Sequence, residues 1–94
     1  MKELKSVPQK HILVCVNERE NEDCCKNVGG EQIYLKLKQY VNANGLVGRV
    51  WITRVKCLGF CNNVGTTITI YPECKWFTEV KEEDLNKITE YILK

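Results

Sequence analysis

Six cysteines in a chain of 94 residues, at positions 15, 24, 25, 57, 61 and 74, constrain this protein more than any hydrophobic run does. Thiols at that density are cross-linked, held on metal or kept apart by burial, and the compartment decides which. Residues 1–10 carry four charges, and the apolar run from His11 to Val16 is too short for the h-region of a secretory signal. The compartment therefore reads as the reducing cytoplasm, where clustered cysteines bind metal or do redox work more often than they form structural disulfides. A mature secreted protein deprived of its signal would read the same way, so that alternative stays open.

Composition removes other classes. With 94 residues the chain has room for one small core and no second domain. An apolar fraction of 44% and a charged fraction of 28% describe an ordinary soluble globule, and no stretch approaches the roughly 20 apolar residues of a membrane span. The net charge of +2 arises from 14 basic and 12 acidic residues scattered along the chain. No basic block is left to track a phosphate backbone, which argues against nucleic acid as a partner.

The hydrophobic pattern predicts one α/β domain over residues 1–94, preceded by a loose arm over 1–10. His11 to Val16 is apolar on both alternating faces, as in a central strand covered on each side. Asn17 to Asn27 is a polar loop holding Cys24 and Cys25. From Gly29 the period becomes helical, with Ile33, Leu37, Tyr40 and Val41 on one face, and Asn44-Gly45 ends it. Val50 to Val55 reads as a second strand, followed by a loop with Cys57 and Cys61. Thr67 to Tyr71 alternates as a third strand and turns through Pro72-Glu73-Cys74 into a fourth, Lys75 to Thr78. A last helix buries Leu85, Ile88 and Ile92, with Glu82, Glu83 and Asp84 at its positive end. The helical crossover makes the first two strands parallel, and the tight turn makes the last two antiparallel.

That arrangement delivers Cys15, one of Cys24 and Cys25, and the Cys57–Cys61 pair to loops at one end of a parallel pair. Four thiolates converging there suit a [2Fe–2S] cluster, and a structural zinc site also takes four thiolates. Knuckle-like Cys-x-x-Cys pairs are missing, which weighs against zinc. Gly59, between Cys57 and Cys61, lets the backbone come close enough to donate N–H groups to sulfur, an interaction that raises a cluster's reduction potential.

These residues resemble a family. His11-Ile12-Leu13-Val14-Cys15-Val16-Asn17, Cys25 followed by Gly29-Gly30, Cys57-Leu58-Gly59-Phe60-Cys61, and Ile70-Tyr71-Pro72-Glu73 leading to Trp76 are similar to the thioredoxin-like [2Fe–2S] ferredoxins. That family is related to the small cluster-carrying subunit of NADH dehydrogenases and NAD-linked hydrogenases. The resemblance runs from about His11 to Leu93. It implies a thioredoxin-like α/β fold with a small mixed four-stranded sheet and two main helices, a cluster held by Cys15, Cys25, Cys57 and Cys61, and a homodimer. Cys25 is preferred to Cys24 for its distance to Gly29. The chain departs from the family in a shorter loop between the first two ligands, in Thr66 where proline usually follows glycine, and in Cys74 where glycine usually turns the hairpin.

The expected function is one-electron transfer between redox partner proteins, without catalysis. Leu58, Phe60 and Asn62 would form the rim through which the electron leaves. The alternative is a structural or storage metal-binding module, with zinc or an iron–sulfur cluster and no carrier role. A dithiol oxidoreductase is a third class, weakened because no Cys-x-x-Cys opens the first helix. Cys74 reads as a free turn cysteine, His11 as a strand-entry residue, and Trp51, Trp76 and Phe77 as core or subunit-interface residues. The acids from Glu79 to Asp84 read as a helix start, and Lys36 and Lys38 as a solvated helix face.

Overall fold

The computed structural model describes residues 1–16, 29–56, 58–59 and 65–93. Its elements are β1 (Lys10–Cys15), α1 (Gly30–Ala43), β2 (Val50–Val55), β3 (Thr66–Tyr71), β4 (Lys75–Val80), a 3₁₀ turn (Glu82–Asp84) and α2 (Leu85–Leu93). The four strands form one mixed sheet in the order β2-β1-β3-β4. As expected, β1 and β2 are parallel, from Lys10↔Val50 to Cys15↔Val55, and β3 and β4 are antiparallel. The central pair is β1 with β3, antiparallel from His11↔Tyr71 to Val14↔Ile68.

Strand side chains alternate between faces, so the register assigns each one. Ile12, Val14, Val50, Ile52, Ile68, Ile70 and Val80 share one face and pack with Ile33, Leu37 and Val41 of α1 and Ile88 and Ile92 of α2 in a single core. Ile12, Val14, Ile33, Ile68 and Ile70 lose all exposure, each such burial stabilising the fold by about 1.5–3 kcal/mol. Both helices thus lie on the same face. The opposite face carries the rows Trp51–His11–Tyr71 and Thr53–Leu13–Thr69–Trp76, and no described helix covers it. The expectation that β1 is covered on each side therefore holds for the Ile12–Val14 face; His11 and Leu13, opposite, are only half-buried.

Local chemistry explains the boundaries. β1 begins at Lys10, inside the span expected as an arm, because its N–H reaches the Arg49 carbonyl at 3.1 Å and its ammonium reaches Glu73 at 3.4 Å and the Tyr91 carbonyl. Gly29, at φ +94°, turns the chain into α1, a conformation that glycine adopts without a Cβ penalty. At the far end of α1 the Tyr40 carbonyl accepts both the Asn44 N–H at 3.1 Å and the Asn44 side-chain amide at 2.8 Å. β4 runs on to Val80, two residues beyond the expected Thr78, because a bulge absorbs one extra residue. Thr66 faces Val80 while Ile68 faces Phe77, and Glu79 takes φ +58°. Asp84 accepts the Lys81 N–H at 3.0 Å, so Glu82 to Asp84 of the acids read as a helix start do open α2, through the 3₁₀ turn, whereas Glu79 belongs to β4.

Candidate metal centre

The C-terminal ends of β1 and β2 lie side by side, and the start of β3 lies beside β1 at the same end because the two strands are antiparallel. The beginning of α1 is tied to this end as well. Arg54, near the exit of β2, pairs with Glu31 of the first helical turn at 2.8 Å and stacks its guanidinium over the Tyr34 ring at 4.9 Å. Val16, Gly29, Lys56 and Gly65, which flank residues 17–28 and 57–64 along the chain, are therefore gathered at one edge.

Cys15 is the predicted ligand that the described residues include. It ends β1, only 1% exposed, in a strand whose parity turns it away from the helix-side core of Ile12 and Val14. Its Sγ donates to the Lys56 carbonyl at 3.6 Å, which aims the thiol at the backbone immediately before Cys57. Its own carbonyl accepts the Thr66 hydroxyl at 2.6 Å, and the following N–H, of Val16, donates to the Val55 carbonyl at 2.8 Å. Three strands therefore fix the residue. On the other side of Cys57, Leu58 is half-buried and Gly59 is exposed at φ +89°, a backbone turn that a Cβ would strain.

Cys24, Cys25, Cys57 and Cys61 lie outside the described residues, as do Phe60 and Asn62. Among the described residues no three metal-ligating side chains come together. Cys74 and His11 are at the opposite end of the sheet. Cys74 is an exposed, unbridged thiol in the β3–β4 turn at φ +58°, the left-handed conformation for which glycine is the ordinary choice. His11 is four residues up β1 from Cys15, about 13 Å at strand rise, and bonds the Thr53 hydroxyl at 2.7 Å beside the edge of Trp51.

Of the four cysteines expected to hold a cluster, Cys15 is the one among the described residues, and it is a buried, unbridged thiol at a strand exit. Reading the sequence missed the Thr66 hydroxyl and the Arg54–Glu31–Tyr34 contact. A threonine directly after glycine at a strand start was the visible signal for the first. The second joins residues 23 positions apart, and nothing local announces it.

No family model matches the chain. A protein described as "Ferredoxin, 2Fe-2S" from Aquifex aeolicus is 28% identical over 89 residues, covering 90% of this chain and 79% of that protein. One of the same description from Clostridium pasteurianum is 27% identical over 86 residues, covering 88% and 83%. The solved structure of a thioredoxin-like [2Fe–2S] ferredoxin from Aquifex aeolicus superposes with a TM-score of 0.80 at 27% identity, over 94% of this chain and 83% of that one.

Proposed function

We propose that this chain, similar to the thioredoxin-like [2Fe–2S] ferredoxins in both sequence and fold, carries a [2Fe–2S] cluster and passes single electrons between redox partner proteins. The observation that carries the reading is the buried Cys15 thiol, held where β1 leaves the sheet and aimed at the backbone leading into Cys57. Cys15, Cys25, Cys57 and Cys61 are the ligands in this reading, a set drawn from the resemblance and supported by the position of Cys15. The cluster supplies one-electron chemistry when bound.

The chain's own residues hold Cys15 in place and keep water from its sulfur, and Leu58, next to Cys57 in the chain, is half-buried. No substrate is transformed. Gly59 takes a left-handed turn, from which its N–H would donate toward sulfur, favouring the more negative reduced state. The chain works in the reducing cytoplasm as a homodimer. No described helix is long and apolar enough to cross a membrane. Support for the dimer comes from the sheet face bearing Trp51 and Trp76, which are 53% and 46% exposed, since exposed aromatic rings on one face are typical of an interface.

Iron and sulfide assays on the wild type beside Cys24→Ser and Cys25→Ser test the ligand set. Iron lost in the Cys25→Ser chain and retained in the Cys24→Ser chain is the expected result. The reverse pattern replaces Cys25 by Cys24, and zinc in place of iron in the wild type refutes the carrier.

A further inference from the structure

The hydrogen bond from Thr66 to Cys15 stands just where the β1–β3 ladder stops. The last register pair of that ladder is Val14↔Ile68. Backbone groups in a central strand point alternately to its two neighbours, and Val16 donates toward β2, so the carbonyl of Cys15 is directed toward β3. The acceptor there is met by a side chain: the Thr66 hydroxyl donates to it at 2.6 Å. Thr66 is wholly buried, and it shares the helix-side face with Ile68 and Ile70. A hydroxyl in such apolar surroundings is costly unless bonded. The neighbouring Gly65 is pressed against the backbone of Glu79 and Val80, 2.4–2.7 Å from where a Cβ would stand, which leaves Thr66 little room to shift.

We infer that Thr66 is a positioning residue for the cluster: its hydroxyl fixes the peptide that follows Cys15 and so aims the Cys15 sulfur. Proline, usual at this place in the family that the sequence resembles, has no hydroxyl to give. The role rests on Cys15 being a cluster ligand. It acts through the backbone of Cys15 and touches no metal itself. Removing the hydroxyl takes that bond from the buried Cys15 carbonyl and leaves the peptide held from the β2 side, by the Val16 N–H on the Val55 carbonyl.

Thr66→Val keeps the shape and removes the donor, and Thr66→Ser keeps the donor. Both are made in the full chain, with cluster loss to a chelator followed by visible absorption and the reduced cluster examined by electron paramagnetic resonance, well below the melting temperature. Thr66→Val should lose its cluster about tenfold faster, the order expected for an orphaned buried acceptor, with altered resonance g-values. Thr66→Ser should return both to within about twofold of the wild type, since its donor is retained. A wild type that binds the cluster beside a Thr66→Val chain that keeps it equally long, with unchanged g-values, overturns this role alone. Equal defects in the Val and Ser chains also overturn it. A wild type that takes up no iron overturns the ligand reading, and this role with it.

Discussion

Gly65→Ala places the added carbon between two backbones. It would stand 2.4 Å from the Glu79 carbonyl carbon, 2.5 Å from the Val80 oxygen and 2.7 Å from the Glu79 oxygen. Comfortable separations between carbon atoms are about 3.5–4.0 Å, so more than an ångström must be opened between the start of β3 and the bulge of β4. No flexible side chain is available to give way. Overpacking of this kind costs about 1–3 kcal/mol, and contacts with backbone alone put Gly65→Ala at about 3 kcal/mol. In a domain of this size that lowers the melting temperature by roughly 12–24 °C. Gly45→Ala is the control: Gly45 has φ +66° and nothing within 4 Å of its added carbon, so only the left-handed penalty of about 1–2 kcal/mol applies. Thermal unfolding followed by circular dichroism compares the two. A Gly65→Ala chain that melts within about 5 °C of the wild type, or no lower than Gly45→Ala, refutes the close approach of β3 to the bulge.

Thr69 is fully buried with no hydrogen-bond partner for its hydroxyl among the described residues. Thr69→Val should therefore stabilise the fold by about 1 kcal/mol, read as a higher midpoint of denaturant unfolding; a lowered midpoint would mean that the hydroxyl is satisfied in solution. Cys74→Ser should leave the iron content unchanged, since Cys74 is exposed at the far end of the sheet, and loss of iron in that chain would place it in the site. Leu58→Asp should slow electron transfer to a redox partner while the visible spectrum of the cluster stays the same; stopped-flow rates equal to those of the wild type would remove Leu58 from the exit path.

The strands and helices were legible because period and punctuation agreed. Val50 to Val55 is bounded in the structure as its β-branched pattern predicts, and the Pro72-Glu73-Cys74 turn joins β3 to β4 antiparallel. The pairing of β1 with β3 was not legible. It joins residues more than 50 positions apart, and the alternation of Thr67 to Tyr71 would serve either neighbour. The alternation of β1 also misled on coverage, because Leu13 and Cys15 are apolar for different reasons: Leu13 fills a helix-free sheet face, and Cys15 is held at a strand exit by hydrogen bonds. The bulge at Glu79 left no sign either, since a positive φ at a glutamate is imposed by strand pairing and not by residue type. At the candidate site, spacing located the thiols along the chain, and the fold added what holds the first of them. Thr66 was visible as a threonine directly after Gly65 and as a departure from the resembled family. Its hydrogen bond to Cys15 needed the antiparallel start of β3 to be known.

The central claim is that this chain carries one electron on a [2Fe–2S] cluster. Purified without oxygen and titrated with a one-electron reductant, it should start brown, contain two irons and two sulfides per chain as that cluster type requires, bleach on taking up a single electron and give a paramagnetic signal. A colourless chain that holds zinc, or a coloured one that takes up no electron, would contradict the account.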